Sequence, residues 1–271
     1  MTRMTGSEAS ALPPLAVLAG DPRAAALVRR VCALGNSARL VDPEVPGAAI
    51  LSHEWLVLPP GSGAPSRRLA SMANAGRGVL APHPLPWPGD LRVPAVSYAG
   101  PAFLWANARL TAEGALLWAL GGGRDSLWGA RVVVYGFGRV GLSVALQLGG
   151  GGARVTVRCR DPEERGRAVV MGYEGETLRA SSGPAVLVIN TIPAPILDRV
   201  TCEAFGHAAR VLDLASPPGG FLPEGAAILG AQLERRSGLP GQVAPEAAAR
   251  ILVQALAEAL ASAGEHRTDL G

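Results

Sequence analysis

The stretch that decides the fold is Val132-Val133-Val134-Tyr135-Gly136-Phe137-Gly138-Arg139-Val140-Gly141. Three β-branched residues and a tyrosine make a strand with no polar face, and a G-x-G-x-x-G turn follows at once. Val140, Val144, Leu146 and Leu148 then mark a helix, and a further strand is expected over residues 153–157. The glycine pattern alone decides little: with 35 glycines in 271 residues, about half a match is expected by accident. The strand before it and the helix after it give it meaning. Gly136 allows a tight turn, Gly138 lets the backbone approach a pyrophosphate, and Gly141 lets the helix close on the strand. The N–H groups opening the helix face the anion. Gly136, Phe137, Gly138, Arg139, Val140 and Gly141 are therefore candidates for binding a dinucleotide.

Strands recur outward from this point at residues 131–135, 154–157, 185–189 and 210–214, with a weaker one at 226–229. That rhythm predicts a Rossmann-type parallel sheet over residues 124–243. Before it lie an apolar run at 15–19, then Gly20-Asp21-Pro22, and a helical stripe of Leu27, Val28, Val31 and Leu34 ending at Gly35-Asn36. Short strands are expected at 38–41, 48–51 and 55–58, with Pro/Gly-rich loops at 59–66 and 82–90. Thr111 reads as the N-cap of a helix to Leu120, within a linker helix over 109–123 that ends in Gly121-Gly122-Gly123. Ile251, Leu252, Ala255, Leu256, Ala259 and Leu260 form one face of a last helix, 244–263. The expected fold is α/β with two α/β domains: residues 1–108 joined by the last helix, and a dinucleotide-binding Rossmann-type sheet.

The second strand of that sheet bears on cofactor choice. Enzymes using NAD usually end it with an acid that binds the ribose hydroxyls. Here Arg158-Cys159-Arg160-Asp161 places Cys159 at that point, between two arginines. Arg158 or Arg160 is suited to a 2′-phosphate, which favours NADP over NAD. Asp161 turned inward would favour NAD, and a merely solvated basic edge, with Arg154, Arg165 and Arg167 nearby, is the plain alternative.

Composition removes several chemistries. All 25 basic residues are arginine, so a P-loop lysine and an enzyme-lysine Schiff base are excluded. A net charge of +3 is a poor basis for nucleic-acid binding. Cys32, Cys159 and Cys202 have no metal-ligand spacing, and no metal site is expected. With no signal-like or membrane-length apolar run, a cytoplasmic location is expected.

Four further segments fall at strand ends or in loops. Asn107, Arg109, Thr111, Ala112 and Glu113 stand in the first, and Asn190-Thr191-Ile192-Pro193 is the second. Asp213-Leu214-Ala215-Ser216 opens the third, which runs to Gly220. Gly238-Leu239-Pro240-Gly241 opens the fourth, which runs to Pro245. Each alone has a bland reading as a cap or turn. Taken in order with Gly136–Gly141, they resemble the A-subunit family of dipicolinate synthase. The resemblance is strong from Asn107 to about Ala255 and fainter at Gly20-Asp21-Pro22-Arg23. Two departures stand out: Glu246 and Ala249 replace a family Lys and Gly, and the first domain looks shortened.

The resemblance implies a two-domain fold similar to the 2-hydroxyacid and alanine dehydrogenases, and NADP-linked oxidation of a dihydrodipicolinate to pyridine-2,6-dicarboxylate. It also implies the mother cell of a sporulating bacterium, and a flavoprotein-like B subunit. A homodimer is expected from the architecture by analogy. On this footing Arg109 is the candidate for the substrate dicarboxylate, Asn107, Thr111 and Ser216 for orienting it, and Glu113 or Asp213 for accepting the proton. Asn190, Thr191, Pro193, Leu214, Leu239 and Pro240 are candidates on the nicotinamide side. Two other readings stay open: another NADP-dependent dehydrogenase of a small carboxylic acid, or a non-catalytic nucleotide-binding subunit.

Overall fold

The computed structural model describes residues 12–89, 91–121, 126–180, 183–207 and 209–268, with side chains as far as residue 263. The chain divides into two compact units, with breaks between Asn107 and Ala108 and between Leu239 and Pro240.

The first unit contains β1 (Leu15–Leu18), α1 (Pro22–Ala33), β2 (Ala38–Val41), β3 (Trp55–Val57), α2 (Arg67–Ala73), β4 (Gly78–Ala81) and β5 (Ala95–Ser97). The strands are all parallel in the order β2-β1-β3-β4-β5. β1 shows why its run is continuously apolar: Leu15 and Val17 enter one core while Ala16 and Leu18 enter the core on the other face. α1 starts at a clear signal. Asp21 accepts the Arg23 N–H at 2.8 Å and Pro22 occupies the first turn.

The helix α3 (Pro101–Gly121) leads out of this unit. Thr111 therefore lies within a helix and is not its cap. The run from Pro101 contains no breaker, so the helix starts ten residues before the predicted cap. Gly122 and Gly123 lie outside the described residues.

The second unit contains β6 (Arg131–Tyr135), α4 (Arg139–Gly150), β7 (Arg154–Arg158), α5 (Pro162–Val170), β8 (Glu174–Glu176) and β9 (Leu187–Asn190). α6 (Arg199–Glu203), β10 (Arg210–Asp213), α7 (Pro223–Leu229) and β11 (Leu233–Arg235) complete it. Its parallel sheet has the order β11-β10-β9-β6-β7-β8, the doubly wound arrangement in which the chain reverses direction across the sheet between β6 and β9. Val132 and Val134 pack with α3 and α4 on one face, and Val133 and Tyr135 pack toward α6 and α7 on the other.

Two expected strands are absent. Residues 48–51 form no strand, and 226–229 belong to α7, where Pro223 in the first turn and Glu224 favour a helix start. After α8 (Leu239–Val243), the helix α9 (Pro245–Thr268) returns to the first unit. Ala249, Leu252, Val253, Ala255 and Leu256 join the core that holds Leu27 and Val31 of α1. Each buried leucine there contributes about 1.5–3 kcal/mol.

Candidate functional site

The carboxyl ends of β6, β7, β9 and β10 open onto a hollow of about 630 Å³. Gly136–Gly141 form its floor, and Thr191, Pro193, Leu214 and Ser216 line the side over β9 and β10. Such a hollow at the reversal point of a parallel sheet is where ligands bind in doubly wound folds.

The three glycines differ in what demands them. Gly136 has φ +88°, and a Cβ there would lie 2.6 Å from Thr191 Oγ1. A Cβ on Gly141 would lie 2.1 Å from the Gly136 carbonyl oxygen. The protein's own packing explains both. A Cβ on Gly138 would meet nothing within 4 Å, and its φ of −70° suits any residue. Gly138 is the N-cap of α4 and supplies no side-chain cap, so the helix start presents backbone N–H groups toward the hollow. Bareness at Gly138 fits a pyrophosphate drawn close to the chain.

The turn is braced from two sides. The Thr191 backbone N–H and hydroxyl both donate to the Tyr135 carbonyl, at 2.9 and 2.8 Å. On the other side Arg167 of α5 donates to the Phe137 carbonyl at 3.0 Å with its guanidinium over the Phe137 ring. Phe137 and Val140 line the hollow with Arg139, although the Phe137 side chain is buried edge-on against Tyr173.

At the end of β7 the two arginines part company. Arg158 does not line the hollow. It is buried, donating to the Tyr135 hydroxyl at 2.9 Å and to Glu176 at 3.0 Å. Strand parity accounts for this: Arg158 pairs across from Tyr135 and shares the face of Thr156, while Val155, Val157 and Cys159 share the other. Burial works to lower its pKa, but Tyr135 and Glu176 outweigh it and raise the net value. Cys159 and Arg160 do line the hollow. Burial, then the charge of Glu164, pushes the Cys159 thiol up to about 11. Asp161 lines the hollow too, and its carboxylate caps α5 by accepting the Glu163 N–H at 2.8 Å.

Asn190 and Asp213 are both buried. Asn190 Nδ2 donates to Asp213 Oδ1 at 2.8 Å, and Asp213 also accepts the N–H groups of Ala215 and Gly220, each at 3.2 Å. The pair binds the two loops together, and Asp213 does not line the hollow, whereas Ser216 does. On α3, exposed Arg109 and half-buried Glu113 form an i,i+4 pair at 3.4 Å. Asn107 and Thr111 are also four apart but about 200° around the helix from that pair, so one helix face cannot present all four. None of Arg109, Thr111 and Glu113 lines the hollow. Leu239 packs on α3 at Gly114, and Pro240 opens the return to the first unit.

Leu178, Ile196 and Glu164 line the hollow unpredicted, and so does Ile192, which stands in a candidate segment without having been singled out. Leu178 follows β8, a three-residue strand too short to be read. Glu164 stands at the third position of α5, where Asp161-Pro162-Glu163-Glu164 is itself a helix-start signal. Among the described residues there is no cluster of potential metal ligands, and no helix is long and apolar enough to cross a membrane.

No family model matches the chain. A segment of 158 residues is 33% identical to the A subunit of dipicolinate synthase from Bacillus subtilis (strain 168). Over that segment the chain is similar to the dipicolinate synthase A subunit. The matched segment covers 57% of this chain and 53% of the relative, about half its length. Over the whole fold, 93% of the chain superposes on 97% of the dipicolinate synthase A chain from Bacillus subtilis, with TM-score 0.74 and 22% identity. The same fold recurs in apo D-lactate dehydrogenase from Escherichia coli, where 94% of this chain covers 97% of that one at TM-score 0.61 and 12% identity. It recurs again in an NAD-complexed D-isomer specific 2-hydroxyacid dehydrogenase from Lactobacillus delbrueckii ssp. bulgaricus, at TM-score 0.56 and 11% identity over 93% of this chain and 98% of that one. The expected α/β architecture is thus found, with a fold like that of these dehydrogenases.

Proposed function

We propose that the chain is the A subunit of a dipicolinate synthase, a nicotinamide-dinucleotide-dependent oxidoreductase that converts a dihydrodipicolinate to pyridine-2,6-dicarboxylate. Homology supports the family, and Gly138 supports the cofactor: its bareness has no cause inside the protein but suits a bound pyrophosphate. The dinucleotide supplies, when bound, an acceptor for the hydride that leaves the ring. The chain's own part is to bind and orient. The N–H groups opening α4 hold the pyrophosphate, and Leu178, Ile192 and Ile196 give an apolar wall for the adenine. Arg160 lines the hollow, which supports it as the partner of an NADP 2′-phosphate.

Aromatisation removes one hydride and one proton from the ring. Ser216 at the rim orients the substrate, and Arg109 is the cation for its carboxylates. Because Asp213 already accepts three hydrogen bonds, Glu113 is left as the candidate proton acceptor. The reading carries with it a flavoprotein-like B subunit, a homodimer and a place in the mother cell of a sporulating bacterium. The test supplies enzymatically generated dihydrodipicolinate precursor and NADP, with and without the B subunit. Equal amounts of dipicolinate and NADPH are expected. No product under either condition, from a protein that binds nucleotide, overturns the reading in favour of a non-catalytic subunit.

A further inference from the structure

The end of β7 carries two opposite preferences for the adenosine ribose. Cys159 fills the position of the usual acid, and a buried thiol is too weak an acceptor to replace a carboxylate. Of the five arginines from 154 to 167, Arg160 alone lines the hollow. Arg158 is committed to Tyr135 and Glu176, Arg165 to the carbonyls of Cys159 and Arg160 at 3.1 and 2.7 Å, and Arg167 to that of Phe137. Arg154 begins β7 and so lies at the opposite edge of the sheet.

The acids divide in the same way. Asp161 spends an oxygen on the α5 cap. Glu164, in the first turn of α5, lines the hollow beside Cys159 and Arg160. Its ion pair with Arg167 is loose, 3.8 Å from an Nη2 already donating to Phe137. That distance is beyond a hydrogen bond.

We propose that Glu164 takes over the part of the strand-end acid, accepting the ribose hydroxyls of NAD, so that the site takes NAD as well as NADP. A ribose diol donates two O–H groups to the Glu164 carboxylate. A 2′-phosphate is drawn to Arg160 and repelled by Glu164. The inference rests on the dinucleotide reading of the hollow. The simpler role for Glu164 is a capping-box partner at the third position of α5, and that role makes no distinction between the two nucleotides.

The experiment titrates the full chain with NADH and with NADPH, following fluorescence of the reduced nicotinamide, for wild type, Glu164→Gln and Arg160→Ala. Wild type is expected to bind both. Glu164→Gln is expected to weaken NADH by about tenfold or more, the size of a lost hydrogen bond to a charged group, and to leave NADPH unchanged or tighter. Arg160→Ala is expected to do the reverse. Thermal melts without nucleotide report any loss of the cap separately. A NADH-to-NADPH ratio in Glu164→Gln within twofold of wild type overturns the proposal, whether both affinities fall or neither does. Wild type binding NADPH without NADH also overturns it and leaves the dinucleotide reading intact. Wild type binding neither removes that reading itself.

Discussion

Replacing Gly138 by alanine separates the demands of the fold from those of a ligand. The residue has φ −70° and ψ −166°, which alanine adopts readily, and a Cβ there meets nothing within 4 Å. The free protein should therefore melt as wild type does, or slightly higher, because alanine restricts the unfolded chain by about 0.4–1 kcal/mol. A nucleotide at a hundred times its Kd stabilises by about 2.7 kcal/mol. For a domain of this size that is roughly 5–10 °C in Tm. The new methyl group stands where the pyrophosphate must approach, and most of that shift should vanish in Gly138→Ala. Gly141→Ala should behave in the opposite way. Its Cβ would lie 2.1 Å from a carbonyl oxygen, and such overpacking costs about 1–3 kcal/mol before any ligand is added. Melting curves with and without NADPH measure both variants. A Gly138→Ala protein that keeps the full nucleotide shift refutes the assignment of this turn to phosphate.

Four other outcomes are expected. Asp213→Ala leaves the buried Asn190 amide and two backbone N–H groups without their acceptor, costing about 2–4 kcal/mol in urea unfolding. Asp213→Asn should keep the shape of the pH profile of kcat/KM, and loss of its acidic limb would restore Asp213 as the proton acceptor. Burial pushes Glu54 upward, but hydrogen bonds from Arg39 and the Leu51 N–H outweigh it and hold its pKa below the usual range. A lowered folded-state value contributes stability above the unfolded pKa of about 4.3, and that stability is lost as pH falls through the folded value. The stability gap between wild type and Glu54→Gln, about 2 kcal/mol near neutral pH, should therefore close in acid, as urea unfolding at a series of pH values will show. Burial pushes the Cys159 and Cys202 thiols up to about 11 and 12, whereas Cys32 is exposed. A thiol reagent should find one fast cysteine per native chain and three after denaturation.

What could be read from the residues follows the strength of local signals. The strands β1 and β6 are legible as unbroken apolar runs, β2, β7 and β10 as shorter Val- and Leu-bearing segments recurring at regular intervals, and the helices α1 and α9 as apolar stripes, α1 behind the clear cap Asp21-Pro22. β5, β8 and β11 are three residues each and partly exposed. They exist because a parallel neighbour supplies their hydrogen bonds, a tertiary cause with no local mark. The floor of the hollow was legible for the same reason as β6. Arg158 shows where more could have been extracted. Its parity with Thr156 sends it to the face of Tyr135, and counting by twos from Val157 distinguishes it from Cys159. Asp213 could not be placed in that way: whether a carboxylate at a strand end faces ligand or backbone depends on where the following loop folds, and only the structure shows Ala215 and Gly220 turned back upon it.

The return of α9 to the first unit bears on how the protein is made. Residues 108–239 form a continuous stretch and have their whole core once they leave the ribosome. The first unit does not: its core includes Ala249, Leu252, Val253 and Leu256, which are synthesised more than a hundred residues after β5. At about 5–20 residues per second, β1 to β5 and α1 wait without the α9 residues that complete their core while the other unit closes. Nascent chains usually fold from the N-terminus onward; here the unit encoded first is completed last. The exposed flank of α1 in that interval is the surface a chaperone would meet.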